Sequence, residues 1–245
     1  MQDVKFLLTG DTSVTLSFGE EISTEINRTI RAFGYALSVR GIAGIVETVP
    51  TYRSVTIHYK PEIIRHDALV EALASIVDGL GAVALPASSV LEIPVLYGGE
   101  MGPDLNFVAA HTGLLPDEVV NTHTSAPYLI YMLGFTPGFT YLGGMSKQIA
   151  TPRLKTPRVR IPAGSVGIAG EQTGVYPIES PGGWQLIGRT PVKMYDPHRA
   201  TPILPVAGDY IRFVSITEAE FTRIEAEAAR GTYICRRYAA EEVTA

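Results

Sequence analysis

The side chains best suited to chemistry fall between His123 and Arg189. His123 is a candidate general acid or base, and Arg153, Arg158 and Arg189 are candidate anion ligands. Ser165, Gln172, Tyr141 and Tyr176 can supply hydrogen bonds, while Phe139 and Trp184 can wall an apolar pocket. Glycines at 164, 167, 182 and 183 would let backbone N–H groups approach a ligand closely. Arg153 and Arg158 each follow a Thr-Pro pair, whose fixed proline φ pre-organises the chain at that point. His123 also has a plainer reading, since taken alone a histidine is by default structural.

Charge marks out the same stretch. No carboxylate occurs between Glu118 and Glu171, and Val119 to Lys193 carries seven Lys or Arg against two Glu, in a chain whose net charge is -5. A local cationic concavity for carboxylate or phosphate is expected, with Lys147 and Lys155 read as solvated edge residues. Residues 134–205 hold ten of the 17 prolines and eleven of the 24 glycines. Phe135, Phe139, Tyr141, Trp184 and several Ile and Val are interleaved with them, and disordered segments lack such apolar content. Short strands joined by specified turns are the better reading.

Several chemistries are excluded. There is no G-x-x-x-x-G-K-[ST] phosphate loop, and five scattered histidines with one cysteine, Cys235, offer no metal-ligand spacing, so no metal is expected. Ala163-Gly164-Ser165-Val166-Gly167 has alanine where a nucleophile elbow needs its first glycine. The acidic balance argues against nucleic acid as a partner, and no apolar run reaches membrane-spanning length. The segment MQDVKFLLTGD lacks an apolar leader core, so a cytoplasmic location is expected, which a single cysteine also fits.

The elements that must position these residues follow from periodicity. Alternating Val4, Phe6, Leu8 and Val14, Leu16, Phe18 predict two strands; Ile22, Ile26, Ile30, Phe33 and Leu37 predict a helix over 21–40, closed by Gly41. Strands at 45–49 and 54–59, a helix from about Asp67 and a short strand at 82–85 complete a ββαββαβ layer, ending at the linker PASS. The expected domains are 1–86, a small α+β unit, and 87–245, which carries the candidate site. In the second, short helices near Asp104 and Pro116 precede strands around 127–135, 167–169, 175–177, 184–188, 192–194 and 210–215. Thr217 and Glu220 form a capping box for a last helix. Many short strands with Gly and Pro corners predict a closed or nearly closed β-barrel.

The runs GFTPGFTYLGGM, TPR and PRVRIPAGSVGIAGEQTGVYPIESPGGWQLIGRTP strongly resemble the bacterial family variously called the B-type subunit of 5-oxoprolinase, KipI or allophanate hydrolase subunit 1. The resemblance implies a cyclophilin-like barrel for the second domain and a companion barrel subunit, of the C type in 5-oxoprolinase or the allophanate hydrolase subunit 2 type. It further implies a third subunit, with ATP as co-substrate for opening 5-oxoproline to glutamate. In that setting Arg158, with Arg153 or Arg189, is expected to hold carboxylate or phosphate, and His123 to manage a proton. Two alternatives follow from the same resemblance: inhibition of a histidine kinase by protein contact, and a carboxyltransferase-type role related to urea carboxylase.

Overall fold

The computed structural model describes residues 4–240, and the chain divides into two compact units, one ending at Pro86 and the other beginning at Ala87. In the first, β1 (Lys5–Leu8), β2 (Ser13–Ser17), β3 (Ile45–Pro50) and β4 (Ser54–Tyr59) form an antiparallel sheet of order β1-β2-β4-β3. The period-2 pattern decides its faces. Val14, Leu16, Val55, Ile57 and Tyr59 are buried, whereas Thr15 and Thr56 share a 2.8 Å hydrogen bond between hydroxyls.

Two helices, α1 (Thr24–Arg40) and α2 (His66–Asp78), supply Ile26, Ile30, Phe33, Leu37, Leu69, Leu73 and Ile76 to the same core. α1 starts later than its apolar period alone predicts, because the Ser23 hydroxyl accepts from the Ile26 amide at 3.1 Å and fixes the cap. The strand expected at 82–85 is not formed. Leu80–Ala82 make one turn of 3-10 helix, and Val83 and Leu85 then pack on the core without joining a ladder. Their alternation recorded burial rather than strand pairing.

The second unit is built from β5 (Ser89–Tyr97), α3 (Leu105–Thr112), α4 (Pro116–Thr124), β6 (Tyr128–Leu133), β7 (Thr140–Gly143), β8 (Arg158–Ile161), β9 (Ser165–Ala169), β10 (Gln172–Val175), β11 (Ser180–Gly182), β12 (Gln185–Arg189), β13 (Tyr210–Ser215), α5 (Glu218–Ala229) and β14 (Arg237–Ala239). Its main sheet runs β10-β9-β12-β5-β13-β6-β7, with β14 also paired to β5. β13 lies parallel to β5. The two ends of that path come together: a Cβ on Gly174 of β10 would sit 3.3 Å from the Thr140 carbonyl oxygen of β7. The sheet is therefore a nearly closed barrel, filled by Ile93, Val95, Ile130, Val166, Ile168, Ile187, Ile211 and Phe213.

β8 and β11 form a separate two-stranded ribbon. The sequence pattern does not signal β8, in which Val159 and Arg160 are exposed and Ile161 alone is buried. Conversely, Val192 and Met194 are buried yet belong to no strand; they sit in a loop whose Tyr195 makes an isolated bridge to Ile203. The last helix has its capping box, with the Glu220 carboxylate accepting from the Thr217 amide at 2.8 Å and the Thr217 hydroxyl accepting from the Glu220 amide at 3.3 Å.

Gly164, between β8 and β9, has φ +82 and would place a Cβ 2.4 Å from the Thr190 carbonyl oxygen. Replacing it by alanine imposes both left-handed strain and a backbone clash, so Gly164→Ala is expected to lower unfolding free energy by about 2–4 kcal/mol in a denaturant titration.

Candidate functional site

The turn after β6 sets the site. Phe135 has φ 65 and is the one non-glycine residue with positive φ among the described residues. The Thr136 amide donates to the Gly134 carbonyl at 2.8 Å, closing a three-residue turn around it. The chain is pinned on both sides, with Gly134 N–H donating to Phe139 O at 3.2 Å and Phe139 N–H to Thr136 O at 3.0 Å. Phe139 is buried at the hub of an aromatic cluster, its ring centroid 5.5 Å from Phe135, 5.2 Å from Tyr141, 6.0 Å from Tyr176 and 5.8 Å from Trp184. All four contacts are edge-to-face, the arrangement that ring quadrupoles favour.

These rings wall a groove of about 470 Å³, completed by Arg153, Pro157, Gln172, Pro181, Gly182 and Gly183. Its volume falls within the range of about 300–1,000 Å³ usual for small-molecule sites. Arg153 is the charged residue of the lining; no carboxylate contributes. Its guanidinium makes no hydrogen bond or ion pair to any described residue, although its charge acts on the Tyr176 phenol. Burial pushes the Tyr176 phenol up, and a backbone hydrogen bond from Trp184 with the charges of Arg153 and Arg158 draws it partly back. Tyr176 therefore stays a neutral hydroxyl that both donates and accepts. Gly182 is required for that position, because a Cβ there would lie 2.4 Å from the Tyr176 oxygen.

Eight of the residues expected from sequence thus come together: Phe139, Tyr141, Arg153, Gln172, Tyr176, Gly182, Gly183 and Trp184. The others lie elsewhere, Gly164 beside Arg189 in a different concavity and Gly167 within β9. Arg158 donates to Asp104 Oδ1 at 2.7 Å and to the Trp184 carbonyl at 3.2 Å. Asp104 in turn accepts from the Leu186 amide at 2.6 Å through Oδ2. It stands at the start of α3, but its carboxylate serves β12 rather than capping the helix. The charge of Arg158 is accordingly answered inside the fold, which leaves it unsuited to the anion-binding role expected of it. Arg189 donates to the Ala163 carbonyl at 3.0 Å and lines a different concavity, beside Phe221 and Glu225 of α5. Ser165 is buried within β9, outside the groove lining.

His123 closes the last turn of α4 and is 0% exposed. Tyr97 Oη lies 2.8 Å from Nδ1, and Thr173 Oγ1 lies 2.7 Å from Nε2. Thr173 donates its own proton to Gly167 O at 3.1 Å, so it accepts from His123 Nε2–H, and Nδ1 accepts from Tyr97. The ring also stacks on Phe213 at 4.6 Å. Burial pulls its pKa down from 6.5 to about 3. A neutral ring with both nitrogens engaged and no exposure cannot exchange a proton with a ligand in the groove, so the proton-carrier role expected for His123 does not suit this environment. Its partner Thr173 adjoins Gln172.

Three lining residues were not expected from sequence, Pro157, Pro181 and Phe135, the last of them read as simple apolar content. Nothing in GFTPGF announces a positive φ at phenylalanine, a residue that avoids it.

The family profile described as "Carboxyltransferase domain, subdomain C and D" matches residues 4–205. The chain is 43% identical over 231 residues to the B-type subunit of 5-oxoprolinase from Bacillus subtilis, covering 89% of this chain and 95% of that one. It is 40% identical to the protein in the crystal structure of TTHA0988, with a TM-score of 0.76 over 84% of this chain and 40% of that longer one. The K. lactis urea amidolyase structure, 22% identical with a TM-score of 0.76, covers 98% of this chain and 17% of that one, and shares the fold. No helix among the described residues is long and apolar enough to cross a membrane, and no cluster of three or more His, Cys, Asp or Glu among them could hold a metal ion.

The depressed pKa of His123 has a consequence for stability. The unfolded state takes up a proton below pH 6.5 and the folded state does not, so unfolding free energy falls as pH drops from about 6.5 toward about 4. His123→Gln is expected to be less stable than the parent at neutral pH but to show a shallower decline over that window in thermal melts.

Proposed function

The chain belongs to the carboxyltransferase-domain family of subdomains C and D, and from that premise we propose that it is the B-type subunit of an ATP-dependent 5-oxoprolinase. With a companion barrel subunit and a third subunit it opens 5-oxoproline to glutamate in the cytoplasm. The observation that carries this reading is the groove itself: five aromatic rings around one unpaired arginine. Such a lining suits a small, flat ring with coverable faces, a polar edge and one carboxylate. 5-Oxoproline is that shape and charge.

The lactam is a resonance-stabilised amide and resists ring opening. Phosphorylation of its carbonyl oxygen by ATP releases ADP and makes the ring carbon electrophilic; water adds there, the C–N bond breaks with a proton passing to the nitrogen, and hydrolysis of the resulting acyl phosphate yields glutamate and phosphate. Within this chain, Arg153 holds the substrate carboxylate, as a guanidinium fork does most strongly. Tyr176 and Gln172 supply hydrogen bonds at the ring's polar edge, while the aromatic walls exclude water. Arg158 acts one step back, holding Trp184 through its carbonyl. The chain carries no phosphate loop, and ATP is a substrate of the assembled enzyme.

The test is release of ADP and glutamate by this chain co-expressed with both partners, with and without 5-oxoproline. Dependence on 5-oxoproline is expected; a well-formed complex that turns over urea-type substrates instead would replace this reading with the carboxyltransferase one. In the active complex, Arg153→Ala should raise KM for 5-oxoproline by about 10- to 100-fold, with a smaller change in kcat. Arg158→Ala should instead lower Tm and kcat together, because it leaves the Asp104 carboxylate without its cation.

A further inference from the structure

We propose that Phe135 is the specificity-determining residue of the groove, a ring held in a strained turn so that it covers one face of a flat cyclic ligand and has nothing to grip in an open-chain one. The inference rests on the 5-oxoproline reading and deepens it.

Folding alone gives no reason for this residue. Phenylalanine at φ 65 is strained by its own Cβ, and glycine would take the same turn freely. The strain is not offset by burial either, since Phe135 is 64% exposed and touches the cluster through one edge-to-face contact with Phe139. A large apolar ring is thus kept at the rim of a groove, in a backbone state it disfavours, where its remaining face meets whatever enters. The turn cannot relax by sliding, because the next glycine is fixed in place. Gly138 has φ +83, and a Cβ there would lie 3.0 Å from the Tyr195 side chain and 3.1 Å from the Met194 carbonyl oxygen.

The ring's selectivity follows from the change in chemistry across the reaction. The substrate is a compact ring with a single negative charge, which one arginine answers and aromatic faces can cover. Breaking the lactam C–N bond adds water to the molecule and leaves a flexible chain with an ammonium and a second carboxylate. The groove lining holds no second cation and no carboxylate to receive either group. The site that binds the ring therefore rejects the opened chain, and product leaves.

Trp184 is the chain's one tryptophan and lines the groove, so its fluorescence reports occupancy in the full-length chain. Titrations would use 5-oxoproline, 2-pyrrolidinone, which lacks the carboxylate, and glutamate, against the parent protein, Phe135→Gly and Phe135→Ala. The expected parent response is tighter binding of 5-oxoproline than of glutamate. Phe135→Gly should raise Tm by about 2–4 °C as the strain is released, yet weaken 5-oxoproline binding by about three- to tenfold while leaving glutamate unchanged. Phe135→Ala should lose the same affinity without the gain in Tm, since it keeps a Cβ at positive φ. An unchanged preference in both variants, or a lower Tm for Phe135→Gly, would overturn the role of Phe135 and leave the 5-oxoprolinase reading standing. A parent protein blind to both lactams, in a complex that also fails to turn over 5-oxoproline, would overturn that reading and this inference together.

Discussion

The shape of the groove depends on the contact between Asp104 and Arg158. Two residues 54 positions apart meet at 2.7 Å, Asp104 also bonding β12 and Arg158 the residue just before it. Asp104 accepts from the Leu186 amide and its own amide donates to the Leu186 carbonyl at 2.9 Å, while Arg158 holds the Trp184 carbonyl. The start of α3, the start of β8 and the entry to β12 are thereby fixed to one another. A partly buried ion pair contributes modestly to net stability, because desolvation offsets most of the attraction. What it supplies here is geometry: Trp184 is held at the register that makes it a wall.

The same economy explains why three arginines of similar sequence context have three different fates. Arg158 has a carboxylate of its own, Arg189 is turned toward a backbone carbonyl at the edge of β12, and Arg153 is left with an unanswered charge facing aromatic rings. The local excess of positive charge read from the sequence is thus a mixture of charges answered inside the fold and one that faces the groove. Only the position of Asp104, far upstream, separates them.

Much of the architecture is legible in the sequence where burial and periodicity coincide. The alternation in β2 and β4, the helical stripe from Ile26 to Leu37 and the Thr217–Glu220 cap are local signals, readable in the sequence even though β2 and β4 pair with each other across about 40 residues. The failures share a cause. Val83, Leu85, Val192 and Met194 are apolar because they are packed, and a packed residue need not belong to a ladder. β8 escapes because its partner β11 is formed by Ser-Pro-Gly, which carries no strand pattern of its own. In the groove, residue type led to Phe139, Tyr141, Tyr176, Trp184, Gly182 and Gly183 but not to Phe135, and it could not place Gly164, Gly167, His123, Arg158 or Ser165, whose surroundings depend on long-range partners. The partners of His123 are Tyr97 and Thr173, 26 and 50 residues away, and no spacing rule links them.

The pairing of β5 carries a consequence for how the protein is made. Along one edge β5 pairs with β13 in parallel, Val90 opposite Tyr210 and Val95 opposite Ser215; along the other it meets β14 near Val90 and β12 near Tyr97. The strand at the centre of the barrel is therefore translated early and satisfied last, by residues that emerge from the ribosome about a hundred positions later. The first unit closes all its ladders within its own 86 residues and can fold while the rest is still being synthesised. Throughout that interval β5 waits with both edges bare. Its run of Val90, Leu91, Ile93 and Val95 then presents bare apolar strand edges, the kind that pair with other chains.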